Sequence, residues 1–100
     1  MIAVLFEAYP VPEHENRYFQ LAAELKSELT KINGFISIER FQSLTTNGRI
    51  LSLSWWENEE AILEWKNNLK HQHAQYEGQT SIFSQYYIRV AQVIRDYSLN

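Results

Sequence analysis

Residues 62–78 read ILEWKNNLKHQHAQYEG, a stretch that brings together a tryptophan, several amides, two histidines and a tyrosine. Such side chains can wall a flat organic ligand, hydrogen-bond to it and move its protons. The histidines also raise the question of a metal. Two ligands on one helix face need a spacing of three or four. His71 and His73 are two apart, so on a helix they diverge by about 200° at 3.6 residues per turn. His14 follows the first predicted strand, and nothing in the sequence brings it near. No metal site is expected.

The helical wheel separates the two histidines. Ile62, Trp65, Leu69 and Tyr76 fall on one stripe, and Asn68, His71 and Gln75 form the neighbouring stripe. His73 lies on the far side, close in angle to Lys66 and Lys70. Two readings follow. Trp65 packs into the core while the amides and His71 satisfy a helix end, or Trp65 walls a pocket between this helix and the sheet, with Asn68, His71 and Gln75 as its polar lining.

No other catalytic constellation stands out. There is no G-x-S-x-G, no glycine-rich phosphate loop and no nucleotide fingerprint, and the three glycines sit at turn positions. Glu57, Glu59 and Glu60 suit a helix N-terminus, where the dipole favours negative charge. Arg89 and Arg95 share a parity in the last strand and are placed to pair with Glu7 or Glu39 across strands.

The elements that must position these residues follow from periodicity. Residues 2–9 form an apolar run of strand length, closed by Pro10 and Pro12. From Glu13 to Lys31, Tyr18, Leu21, Ala22, Leu25 and Leu29 recur at threes and fours, which predicts an amphipathic helix. Asn33-Gly34 stops it. Residues 35–41 and 50–56 are the strands of a hairpin turned at Asn47-Gly48. A second helix starts near Asn58 and runs at least through Leu69, Gly78 closes that region, and residues 82–97 form a long last strand. The order β-α-β-β-α-β is the ferredoxin-like arrangement, an α+β fold whose antiparallel sheet carries both helices on one face.

Both faces of that sheet are apolar. Ile2, Val4 and Phe6 oppose Ala3, Leu5 and Tyr9 in the first strand. Tyr86, Ile88 and Val90 oppose Phe83, Tyr87 and Ala91 in the last. Leu51, Leu53 and Trp55 oppose Ile50 and Trp56 between them. Helices cover one face, so a second copy is expected over the other, in a symmetric homodimer.

The bulk numbers bound the function. One hundred residues make one domain, spanning 1–100. A net charge of -3 and no run of Lys or Arg argue against nucleic acid. With no cysteine there is no disulfide, thiolate nucleophile or Cys-ligated metal. The start, MIAVLFEAYP, lacks the features of a signal peptide, and no stretch approaches the roughly 18 apolar residues of a membrane span. A cytoplasmic protein without membrane partners is expected.

The stretches GFISIERFQS, LSLSWWENEEAILEWKNNLKHQHAQYEG and YYIRVAQVIRDY resemble the antibiotic biosynthesis monooxygenase domain over essentially the whole chain. The likeness is most specific from Trp56 through Trp65, Asn68, His71, Ala74-Gln75 and Gly78. It implies ferredoxin-like protomers whose sheets pair into a dimeric α/β barrel. It also implies oxygenation of a small aromatic or quinol-type compound with no cofactor, the substrate anion itself supplying electrons to oxygen. On that resemblance Trp65 and His71 are the catalytic candidates, and Asn68, Gln75, Phe83 and Tyr86 the substrate-binding ones. Other relatives degrade haem with an Asn, Trp and His set. Trp65 matches that Trp, but Gln75 stands where the iron-ligating His is expected and Ala8 near where the Asn is expected. Haem binding is thus the alternative to oxygenation, and a dimer that binds a small ligand without turnover is a third reading.

Overall fold

The computed structural model describes residues 1–75 and 83–99, with only the backbone for 69–75, 83 and 84. Its elements are β1 (Ile2–Pro10), a 3-10 turn (Pro12–His14), α1 (Glu15–Leu29), β2 (Phe35–Gln42), β3 (Ile50–Trp56), α2 (Glu59–Gln75) and β4 (Phe83–Gln92). The strands form one antiparallel sheet in the order β2-β3-β1-β4. That is the ferredoxin-like topology expected from the pattern.

The local chemistry explains the element ends. Pro12 lacks the N–H that a central strand would need, and it starts a single 3-10 turn that leads into α1. The helix is therefore shorter than the periodic stretch from Glu13 to Lys31. Gly34 turns the chain into β2 at φ 99°, and Gly48 turns the hairpin at φ 80°, both in the region that favours glycine. Ser43 Oγ accepts the backbone N–H groups of Thr45 (3.3 Å) and Thr46 (3.0 Å), which holds the hairpin loop. Asn58 caps α2, its Oδ1 accepting the Ala61 N–H at 2.9 Å.

β4 ends earlier than the expected residue 97. Ile2 pairs with Gln92, and the Val93 N–H still reaches the Met1 carbonyl at 3.2 Å. β1 begins at Ile2, and residues 93–99 lie outside the sheet.

The core lies between the sheet and the helices. Along β3, Ile50, Ser52, Ser54 and Trp56 are buried on the helix side, while Leu51, Leu53 and Trp55 are half-buried on the outer side. Tyr18, Ala22 and Leu29 bring the buried stripe of α1 down onto this layer. One cluster joins Leu29, Ile32, Trp56 and Ala61, with Val4, Phe35, Ile38, Ile62 and Trp65 packed around it. Phe35 meets Trp56 edge-on, centroids 5.2 Å apart, a geometry that suits the ring quadrupoles. The two buried serines are satisfied. Ser52 Oγ lies 3.3 Å from the Tyr18 hydroxyl, and Ser54 Oγ accepts the Trp56 indole N–H at 2.9 Å.

Candidate active site

Trp65 and Asn68 are half-buried on α2, one turn apart. Trp65 packs against the cluster of Leu29, Ile32, Trp56 and Ala61, so it does take part in core packing. The backbone of α2 continues as helix through His71 to Gln75, which keeps Trp65, Asn68, His71 and Gln75 on one continuous helix. The side chains of His71, His73 and Gln75 lie outside the described residues, as do Tyr76 and Gly78.

From the last strand, Tyr86 is opposite Ala8, and its ring packs on Phe6 with centroids 5.6 Å apart. Phe83 pairs with Pro10 after a register shift, and its side chain is outside the described residues. Trp65 and Tyr86 pack on different parts of the helix-side face. Trp65 belongs to the cluster that includes Val4, whereas Tyr86 sits opposite Ala8, four residues further along β1. At about 3.4 Å per residue that is roughly 14 Å along the sheet.

What connects them is a strip built by two strands. On the helix side of β1 and β4, Val4 pairs with Val90, Phe6 with Ile88 and Ala8 with Tyr86. The β1 members are buried or half-buried, yet Val90, Ile88 and Tyr86 remain 52%, 57% and 57% exposed. Among the described residues, the helix side of β1 is covered while these three side chains of β4 stay exposed. The result is an apolar, partly aromatic wall that runs from the Trp65 cluster to Tyr86. The parity of the last strand carried this signal, since Tyr86, Ile88 and Val90 alternate toward one face.

A shallow groove, lined in part by Met1, Ile36, Trp55, Val93 and Ile94, opens on the other side of the sheet. It contains none of the candidate residues. Among the described residues no three His, Asp or Glu side chains gather where a metal ion could be held. Ala8, near the position where a haem-degrading set would place Asn, is completely buried between Ile50 and Tyr86 and offers only a methyl group.

A family model described as antibiotic biosynthesis monooxygenase matches residues 1–77. The chain belongs to the antibiotic biosynthesis monooxygenase family. Among curated relatives of this family member, the jasmonate monooxygenase ABM of Pyricularia oryzae is 40% identical over 93 residues. Those residues are 93% of this chain, but the chain spans only 43% of that relative's length. Among solved structures, Rv0793 from Mycobacterium tuberculosis superposes with a TM-score of 0.79 at 15% identity, over 97% of this chain and 98% of that one. The heme-degrader MhuD from the same organism, with two hemes in its active site, gives a TM-score of 0.74 at 15% identity. That match covers 98% of this chain and all of MhuD. At such identities the two structural matches establish the shared fold.

Proposed function

We propose that this antibiotic biosynthesis monooxygenase family member oxygenates a small aromatic or quinol-type compound without a bound cofactor, in the cleft along β1 and β4. The observation that carries the reading is the uncovered strip of Val90, Ile88 and Tyr86, backed by Phe6 on the helix side of the sheet. A flat apolar ring gains free energy by leaving water for such a wall, and Tyr86 offers it an aromatic face. α2 leaves the sheet at the Trp56 end, and the chain re-enters it opposite Pro10. Asn68, His71 and Gln75 lie on α2, the helix between β3 and β4.

In this reading Trp65 closes the cleft against the packed core, and Phe83 adds to its rim. Asn68 and Gln75 orient the substrate oxygen, and His71 takes its proton as general base. The substrate anion then passes electrons to dioxygen. In a ring methylene, two C–H bonds give way to one C=O, and the second oxygen atom leaves as water. The protein works as a cytoplasmic homodimer joined through the outer sheet face, where Leu5, Leu53 and Trp55 are only half-buried.

Oxygen uptake with mass spectrometry tests this. A panel of anthrones and hydroquinones, with jasmonate added because of the 40% identical relative, should yield a product that has gained one oxygen and lost two hydrogens. Trp65→Phe and His71→Ala should each lower kcat/KM by about 10²-fold or more, the usual scale for a lost acid–base group or a misplaced substrate. Turnover unchanged in both variants would remove α2 from the mechanism. A haemin-dependent Soret band that disappears in His71→Ala, without turnover of the panel, would instead favour haem binding. Binding of panel compounds without turnover would leave the non-catalytic reading.

A further inference from the structure

The register of the sheet aligns a row of four residues straight across its outer face. Glu39 of β2 pairs with Leu53 of β3, Leu53 with Leu5 of β1, and Leu5 with Arg89 of β4. Directly paired residues project to the same face. The row therefore reads anion, leucine, leucine, cation, over about 14 Å at the usual strand spacing.

The charges at its two ends have different local surroundings. Glu7, on the same face, receives both Arg49 at 2.9 Å and Arg89 at 3.3 Å. Two guanidinium groups on one carboxylate leave a surplus positive charge around Glu7. The Arg89 side chain is still 59% exposed. Glu39 is exposed at the other end, opposite an apolar neighbour, and makes no ion pair among the described residues.

We propose that the outer face receives a second copy of this chain about a two-fold axis parallel to the strands, and that Glu39 of each copy pairs with the partner's Arg89. The inference rests on the homodimer reading above and specifies how the two copies recognise each other. A two-fold along the strands reverses the strand order. It sets β2 over the partner's β4 and Leu53 over the partner's Leu5. Two ion pairs then flank an apolar centre made by four leucines. An axis running across the strands would set β2 on β2 and β4 on β4, and so gather like charges. Stacked sheets lie about 10 Å apart, a gap that a glutamate and an arginine span when extended toward each other. Aligned sheet packing keeps the two strand directions within about 30°, so the row stays in approximate register.

Sedimentation equilibrium of the full chain at several salt concentrations decides this. The wild type should dimerise, more weakly at high salt because screening weakens the pairs. Glu39→Arg should raise Kd about tenfold or more and invert the salt dependence, since it faces Arg89 with a like charge. Arg89→Glu should be similarly impaired. A mixture of the two single variants should form heterodimers of near wild-type affinity, because both cross-pairs are then restored. The double variant Glu39→Arg/Arg89→Glu should also recover. If Arg89→Glu misfolds through repulsion with Glu7, circular dichroism will show it, and the inverted salt dependence of Glu39→Arg still decides. A monomeric wild type would overturn the homodimer reading itself. A wild-type dimer with unchanged Kd and salt dependence in Glu39→Arg would leave that reading standing and overturn the charge pairing.

Discussion

Trp56 is the largest fully buried side chain, and its indole N–H is satisfied by a serine only two residues away on the same face of β3. Ser54 thereby resolves a conflict between packing and polarity. The ring brings a large apolar area into the core, but its N–H would cost free energy if left without an acceptor. Ser54→Ala removes that acceptor at a buried position. It should destabilise the fold by about 1–3 kcal/mol, the range for a stranded buried donor, as read from the urea midpoint. An unchanged midpoint would mean that another group or a water takes over the N–H. Tyr18→Phe acts on the neighbouring pair with Ser52 and should cost less, about 1 kcal/mol, because Ser52 can turn its hydroxyl. Neither pairing could be read from the sequence. Tyr18 and Ser52 are 34 residues apart, and only the packing of α1 on β3 brings them together.

At the scale of elements, β2, β3 and α2 meet closely around Gly34. Gly34 turns at φ 99°, and its carbonyl accepts the Glu57 N–H at 2.8 Å. A Cβ placed on it would lie 2.9 Å from the Ala61 Cβ. Gly34→Ala therefore combines a strained backbone with a clash, and should destabilise by more than about 1 kcal/mol. Adding Ala61→Gly should recover only the part due to the clash. Full recovery would show that the φ value carries no cost. Asn58→Ala should lower stability by about 1 kcal/mol through loss of the α2 cap, seen as a shift in Tm with the unfolding enthalpy little changed. A second feature at this scale is the irregularity at Ile36. Phe35 pairs with Trp56 and Ser37 with Trp55, so Ile36 is the extra residue. The bulge lets Phe35 and Ile38, three apart, both pack on the same core cluster.

For the whole molecule, the decisive feature is a sheet with apolar residues on two faces and helices on one. On the helix-side face the described residues of β3 and β1 are buried or half-buried, whereas Tyr86, Ile88 and Val90 of β4 are exposed. In the proposed homodimer the outer face meets the second copy. Leu53 stands near the middle of that outer face, paired with both Leu5 and Glu39. Leu53→Asp should abolish dimerisation at micromolar concentration while leaving the far-ultraviolet circular dichroism of the monomer in place, because the side chain points away from the core. Sedimentation velocity checks this, and an intact Leu53→Asp dimer would move the interface elsewhere. Among the described residues no helix is long and apolar enough to cross a membrane.

Much of this could be read from residue order, because local chemistry acts over a few positions. Asn33-Gly34, Asn47-Gly48, the acidic start of α2 and the alternation of residues 50–56 specify turns, a cap and a buried face without reference to anything distant. They carry the ferredoxin-like order and the expectation of a two-faced sheet. Tertiary structure decided what depends on a neighbour. β4 stops at Gln92, opposite Ile2, and the extra residue in β2 depends on its register with β3. Trp65 packs on the cluster around Trp56, whereas Tyr86 packs on Phe6 and stands opposite Ala8. Glu39, Leu53, Leu5 and Arg89 are scattered along the chain, and antiparallel pairing alone sets them in one row. Periodicity told which face each residue shares within its own strand, but not which residues of other strands stand beside it.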